Sequence, residues 1–127
     1  MIVLDVSVTI AVLDRGDALH ARALQLLRDQ VDDQFAMHAV TRAEVLVGPV
    51  RRGRLALAEG RLDALDLLTL DLTASDAPAL AGLRAESGLK LPDCCVLLAA
   101  ERVGGAVATF DERLARAAER RGLHVLS

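Results

Sequence analysis

The chain has 127 residues, a formal net charge of −3, 53% hydrophobic residues and only 2% aromatic residues. A chain of this length fits one domain that buries an aliphatic core without disulfides or structural metals. The negative net charge argues against a general binder of polyanions.

The apolar stretches exclude a membrane protein. The longest apolar run, residues 94–100, is far shorter than the roughly 18 residues that cross a bilayer, and residues 1–4 lack the basic region of a secretion signal. We therefore expect a soluble, cytoplasmic protein. The only cysteines, Cys94 and Cys95, are adjacent, so they can build neither a disulfide framework nor a zinc site. We interpret them as small buried hydrophobic residues.

The first predicted element is a strand that ends in a carboxylate. Ile2, Val3 and Leu4 are apolar without alternation, which is typical of a parallel strand covered on both faces. Because burying an ionised carboxylate is costly, Asp5 should lie where this strand opens toward solvent. The carboxyl ends of strands are where open α/β sheets bind ligands. Asp5 is therefore a candidate site residue, and Ser7 is its neighbour or the N-cap of the next helix.

Helices and short apolar strands alternate along the rest of the chain. Apolar spacings of three and four, caps and glycines predict the helices, and short apolar runs predict the strands. The predicted helices cover residues 8–13, 17–31, 41–54 with a bend or break at Gly48-Pro49, 55–67, 73–87, 92–103 and 112–121; the later strands cover 34–40, 68–72, 106–110 and 123–126. This order predicts one α/β domain over residues 1–127, with a mostly parallel sheet of about four or five strands covered by helices on both faces.

Two lone histidines and an arginine cluster have no assigned role at this stage. His20 is most simply a surface residue, and His38, without a metal-binding partner, is most simply structural. Arg51, Arg52 and Arg54 either bind phosphate or form a solvated helix face, and the sequence leaves both open.

Four carboxylates stand at predicted element junctions, and each has a structural interpretation. Thr41-x-x-Glu44 matches a capping box, Asp93 lies in a first helical turn that favours an anion, and Asp111 is an ordinary N-cap. In a parallel sheet, however, these junctions and Asp5 can share one edge. Four carboxylates there repel one another unless a cation intervenes, and oxygen-only ligands select Mg²⁺ or Mn²⁺. Such an ion activates water and neutralises charge on a reacting phosphate.

Four motifs, in this order and at these spacings, resemble the PIN-domain nucleases, specifically the VapC-type toxins of bacterial toxin–antitoxin pairs. The resemblance covers essentially the whole chain. The motifs are Asp5-x-Ser7, Thr41-x-x-Glu44-Val-Leu-x-Gly-Pro49, Gly88-Leu-x-Leu-Pro-Asp93, and Ala108-Thr-Phe-Asp111 followed by Arg113-Leu114-Ala115.

The resemblance implies a PIN domain and an acidic metal site. By it, Asp5, Glu44, Asp93 and Asp111 hold Mg²⁺, with Mn²⁺ a plausible substitute, and Asp5 and Asp93 are the main ligands. Ser7 and Thr109 would be polar groups that support the ligands, or Thr109 would orient water or phosphate. The implied reaction is endonucleolytic cleavage of RNA by metal-activated water, which leaves a 3′-hydroxyl and a 5′-phosphate.

The resemblance also implies partners. These are the RNA substrate, a second copy in a homodimer, and a VapB-type antitoxin in a heterotetramer or larger complex. The antitoxin's tail would lie across a groove near the site and present an arginine to the acids. Some family members carry a further acid where this chain has Val96, Leu97 and Leu98, which leaves open whether one or two metal ions bind.

Other functions remain possible. A haloacid dehalogenase phosphatase would need a second aspartate where Ser7 stands, and a phosphoreceiver domain would need an acidic pair after the first strand and a late lysine. A PIN fold could also be an inactive binding module, or a housekeeping RNA-processing nuclease without an antitoxin. A short antitoxin reading frame immediately upstream would distinguish the toxin.

Overall fold

Five short strands form the centre of the molecule in the computed structural model, which describes residues 1–127. Every neighbouring pair is parallel. The strands are β1 (Ile2–Leu4), β2 (Phe35–His38), β3 (Leu68–Leu70), β4 (Ala106–Ala108) and β5 (Val125–Leu126). Their spatial order is β3-β2-β1-β4-β5, which puts β1 in the middle. The predicted parallel sheet is confirmed, at the upper end of the predicted strand number.

Seven helices cover the sheet. They are α1 (Val6–Leu13), α2 (His20–Asp29), α3 (Ala39–Arg51), α4 (Leu55–Asp63), α5 (Asp76–Ser87), α6 (Leu91–Val103) and α7 (Glu112–Arg120). Alternate strand residues point to opposite faces. Val3 packs in one core with residues of α5, α6 and α7, whereas Leu4 packs in a second core with residues of α1 to α4. Both faces are therefore covered, as the unbroken apolar strands predict.

Helix α6 has the longest run of buried residues among the helices. All its residues from Cys94 to Ala100 are buried, so the longest apolar run is a core helix. Gly104 ends it in the left-handed conformation, with φ 59°. At Gly105 an added Cβ would lie 2.5 Å from the carbonyl oxygen of Met1, so the chain entering β4 presses against the start of β1. None of the helices is long and apolar enough to cross a membrane.

Several predicted boundaries are wrong, mostly because turns take residues assigned to helices and strands. The helix predicted for 17–31 begins at His20, since Asp17 accepts the N–H of Leu19 at 2.8 Å in a turn, and Val31 is 75% exposed beyond its end. The helix predicted for 73–87 begins at Asp76, because the Asp76 carboxylate accepts the backbone N–H of Thr73 at 2.7 Å. The helix predicted for 55–67 ends at Asp63. The predicted strands 68–72, 106–110 and 123–126 shorten to two or three residues each.

The start of α3 differs most from its prediction. Strand β2 ends at His38, and the helix begins at Ala39, with the Nδ1 atom of His38 accepting the N–H of Val40 at 3.1 Å. Thr41 is therefore already inside the helix and the predicted capping box does not form. The helix also passes through Gly48-Pro49 to Arg51 without a break.

Candidate active site

The topology points to one edge of the sheet as the place where a ligand would bind. The chain leaves β1 toward β2 on one side and leaves β4 toward β5 on the other, although β1 and β4 are neighbours. Such a reversal opens a crevice at the carboxyl ends of the two strands. Asp5 follows β1 and Thr109 follows β4 at this crevice, and the N–H of Asp5 donates to the carbonyl of Ala108 at 3.0 Å.

Asp5 is 2% exposed and is held by two hydroxyl groups. Its Oδ2 atom accepts hydrogen bonds from Ser7 Oγ at 2.7 Å and from Thr109 Oγ1 at 2.8 Å. The residue also serves as the N-cap of α1, through the N–H of Ser7 at 3.4 Å. All these donors contact Oδ2, so Oδ1 accepts no hydrogen bond from the protein and is free for another ligand.

The two hydroxyls owe their orientation to the turn between β4 and α7. Ser7 Oγ accepts the N–H of Phe110 at 2.9 Å, and Thr109 Oγ1 accepts the N–H of Asp111 at 3.0 Å. Because each oxygen accepts a backbone proton, its own proton is directed to the Asp5 carboxylate. Two donated protons stabilise the ionised carboxylate and fix its orientation.

Glu44 lies on α3 beside this carboxylate. Its side chain forms no capping box and makes no hydrogen bond within the protein. Partial burial raises its pKa, and the charges of Asp93 and Asp5 raise it further, against a smaller opposing effect of Lys90. Glu44 is therefore an unpaired, exposed carboxylate whose pKa is raised by the charges of two others.

Asp93 lies in the first turn of α6 and is half-buried. Burial raises its pKa most, followed by the charges of Asp5 and Asp111, while Lys90 and Arg113 oppose the shift. The first turn of a helix favours an anion by only about 0.3–1 kcal/mol. The net direction of the shift shows that burial and the neighbouring carboxylates disfavour the ionised form of Asp93.

Asp111 has the cap role that its position predicts. It is exposed and its Oδ1 atom accepts the N–H of Leu114 at 2.9 Å at the start of α7. Its charge acts on Asp93 as described above. The structure thus brings all four predicted acids to one rim: Asp5, Glu44, Asp93 and Asp111, which we call the acid rim.

Comparison with known sequence families identifies the domain. The sequence profile described as "PIN domain" matches residues 2–120. The chain belongs to the PIN-domain family. The resemblance seen in the motifs is confirmed over nearly the whole chain, although a search of curated protein sequences finds no match.

Solved structures with the same fold include components of toxin–antitoxin systems. A toxin–antitoxin complex from Klebsiella pneumoniae matches this PIN domain at 24% identity and TM-score 0.70, covering 87% of each chain. VapBC2 from Rickettsia felis, bound to a promoter DNA fragment, matches at 17% identity and TM-score 0.72. The match covers 99% of this chain and 98% of that one. The sarcin-ricin loop cleaving toxin VapC20 from Mycobacterium tuberculosis matches at 18% identity and TM-score 0.67. The match covers 92% of this chain and 95% of that one. At these identities the likenesses establish the fold.

The acid rim of this PIN domain fits a hydrated hard cation better than a closed metal cage. No three His, Cys, Asp or Glu side chains are placed to hold a metal ion together. Mg²⁺, however, keeps several waters and commonly takes only one or two carboxylates directly from the protein. The free Oδ1 of Asp5 and the unpaired carboxylates of Asp93 and Glu44 supply oxygen donors of this kind.

Two predictions about histidine and threonine need correction. His20 is not a free surface residue, because its Nδ1 lies 2.7 Å from the carbonyl oxygen of Ala11 and joins α1 to α2. Thr41 does not cap α3; its side chain is fully buried and its Oγ1 has no hydrogen-bond partner. His38 is structural as expected, buried at the end of β2 where it caps α3.

The sequence analysis missed the positive charges around the rim. Lys90 and Arg113 lie close enough to oppose the rise in the pKa of Asp93. Their positions, three residues before Asp93 and two after Asp111, were available as a signal. The arginine cluster divides in the structure. Arg52 and Arg54 line a groove together with Glu44, whereas Arg51 lies outside it.

Proposed function

We propose that this PIN domain is a metal-dependent endoribonuclease and the toxin of a VapBC-type toxin–antitoxin system. The observation that carries the proposal is the acid rim. Asp93 and Glu44 lack hydrogen-bond partners, face other carboxylates and have raised pKa values. Carboxylates in this state repel one another, and a divalent cation would offset that repulsion and could also hold a phosphodiester.

The roles of the residues follow from their positions. Asp5 is held by Ser7 and Thr109 through Oδ2, which leaves Oδ1 for a ligand, and its charge raises the pKa of Asp93 at the start of α6. These two would hold Mg²⁺ or Mn²⁺ most directly, with Glu44 and Asp111 around it. When bound, the ion supplies an activated water and neutralises charge on the phosphate. Lys90 and Arg113 place positive charge where the RNA backbone would approach.

RNA as the substrate and an antitoxin as the partner are supported by the structural neighbours. One neighbour is described as a sarcin-ricin loop cleaving toxin, and others as toxin–antitoxin complexes. We propose a VapB-type antitoxin that blocks the acid rim, and a homodimer that forms a heterotetramer or larger complex with it.

Cleavage assays with variants test the proposal. Purified protein should cleave RNA with Mg²⁺ or Mn²⁺, stop when EDTA is added, and leave 3′-hydroxyl and 5′-phosphate ends. Asp5→Asn and Asp93→Asn should each lower the cleavage rate by about a thousandfold, the scale of removing a key electrostatic group, while their circular dichroism stays native. Asp32→Asn is the matched control, because Asp32 is exposed and outside the rim. Unaltered cleavage in both rim variants, with contaminating nuclease excluded, would refute the assignment.

The antitoxin is tested separately. A short upstream reading frame should encode a protein that co-purifies with this chain and stops cleavage. RNA cleavage without any such inhibitor would instead identify a housekeeping PIN nuclease.

A further inference from the structure

A groove of about 430 Å³ runs beside the acid rim, between α1, α3 and α4. Glu44 is one of its lining residues, so the groove borders the acid rim. Leu13 and Leu57 are among the apolar residues of its walls, and three arginines line it, namely Arg52, Arg54 and Arg61. The groove therefore joins apolar surface to positive charge immediately next to the unpaired carboxylates.

The arginines of the groove are free to bind an anion. Ion pairs occupy Arg42, Arg102, Arg116 and Arg121 elsewhere in the molecule, but none involves a groove arginine. The second carboxylate of the groove, Asp14, accepts the N–H of Gly16 at 2.9 Å. Three arginines against two carboxylates, Asp14 and Glu44, leave the groove lining with a net positive formal charge.

The Arg52 guanidinium lies over Gly48. A Cβ atom at Gly48 would stand 3.2 Å from Nη1 and 3.4 Å from Nη2 of Arg52, so the guanidinium folds back along α3 over the glycine. Gly48 is one helical turn from Glu44, about 6 Å of helix rise. Arg52 and Glu44 line the same groove, and no ion pair joins them.

On the basis of the ribonuclease function proposed above, we propose that Arg52 binds a phosphate of the RNA strand next to the scissile position, with the adjoining base against the apolar wall of the groove. The planar guanidinium matches two phosphate oxygens at once. An apolar wall receives a base only when that base is unstacked, so the RNA in the groove is single-stranded. An RNA strand whose phosphate lies at the acid rim continues over the protein surface next to the rim. On the side of Glu44, that surface is this groove.

Binding without cleavage isolates this contact. The protein carries Asp93→Asn in EDTA, and the probe is a short fluorescein-labelled oligouridylate whose anisotropy is followed at several salt concentrations. Arg52→Gln should raise the Kd about tenfold, the loss of a charge-assisted contact, and reduce the salt slope by about one. The Kd of Arg52→Lys should lie between those of the reference protein and Arg52→Gln, because lysine keeps the positive charge but lacks the planar guanidinium that binds two phosphate oxygens. Arg51→Gln is the matched control, because Arg51 is the neighbouring residue outside the groove.

Three results would overturn the proposal. Equal effects of Arg52→Gln and Arg51→Gln would mean that only general charge matters. No effect of Arg52→Gln, or no binding by the reference protein, would remove the RNA subsite. Unchanged RNA binding with a weakened antitoxin complex would identify the groove as a protein-docking surface instead.

Kinetics on the active enzyme separate this inference from the nuclease proposal. With Mg²⁺ present, Arg52→Gln should raise KM for single-stranded RNA and leave kcat nearly unchanged. Cleavage with the same KM in Arg52→Gln and Arg51→Gln would refute the subsite and leave the nuclease intact. Arg52-dependent RNA binding by a protein that never cleaves would refute the nuclease and leave the subsite.

Discussion

Asp76 and Asp93 stand in the first turns of successive helices, yet their surroundings are opposite. Asp76 is 1% exposed and pairs with Arg102, and it accepts the N–H of Thr73 at 2.7 Å and the Thr73 hydroxyl at 2.9 Å. These partners, above all Arg102, hold its pKa well below the ordinary range. Asp93 has no hydrogen-bond partner, and its pKa is raised.

The difference shows what distinguishes a structural acid from a candidate ligand. Both helix starts offer a similar dipole, so the dipole cannot explain the contrast. The partners explain it, because this chain neutralises Asp76 from within and leaves Asp93 among like charges. A carboxylate left in that state is available to something outside the protein.

The largest effect on stability should come from Asp76. Asp76→Ala removes the cap bonds of Thr73 and leaves Arg102 without its partner, so we expect the melting temperature to fall by roughly 5–10 °C. Asp93→Ala should change it by only about 2 °C in metal-free buffer, because losing a helix-dipole contact is offset by relief of repulsion. Thermal unfolding followed by circular dichroism measures both. An equal fall in melting temperature in the two variants would contradict the distinction between Asp76 as a structural acid and Asp93 as a candidate ligand.

The pH dependence of stability should have opposite signs in the two regions. Asp93 and Glu44 have raised pKa values, so the native state holds their protons more tightly than the unfolded chain does. Without metal, their contribution to stability should therefore increase as the pH falls from 7 toward their ordinary values of 3.8 and 4.5, and be lost as the pH rises through the raised values. The stabilising contribution of Asp76 is present above its ordinary value of 3.8 and is lost only as the pH falls toward its lowered pKa.

Thermal unfolding in EDTA at a series of pH values tests the predicted sign of the pH dependence. The melting temperature of the wild type should rise as the pH falls from 7 toward 4.5, and that of Asp93→Asn should rise less. A wild type that only loses stability over this range would contradict the repulsion among the rim carboxylates.

The smallest effect should be that of Glu44→Gln. Because His38 caps α3 and no capping box forms, the substitution removes no cap, and it relieves repulsion from Asp93 and Asp5. The melting temperature without metal should stay within about 2 °C or rise slightly. A fall of many degrees would mean that Glu44 stabilises the helix start after all.

Much of the fold could be predicted from local sequence. Gly88 and Gly104 end helices in the left-handed conformation, and Asp111 caps α7, because each of these signals acts over a few residues. The start of α3 could not be predicted in the same way. Thr41-x-x-Glu44 satisfies the local capping rule, and the competing cap depends on where β2 ends in the sheet, which places His38 against the helix.

Part of the candidate site could likewise be predicted from the sequence, and part could not. That Asp5, Asp93 and the other rim acids share one edge follows from alternating elements in a parallel sheet. Three contacts could not be read from the sequence, because their partners are far apart or depend on side-chain conformation. They are the pairing of Asp76 with Arg102, the two hydroxyls on one oxygen of Asp5, and the Arg52 guanidinium over Gly48.

The close approach of Gly105 to Met1 has a consequence for sequence variation. A side chain at position 105 would push on the first residue of the chain, and β1 is so short that Asp5 stands only four residues further on. A displacement at the amino edge would therefore travel through the strand to the carboxylate at its other end. Positions that contact β1 should therefore tolerate substitution poorly, even where they lie far from the acid rim.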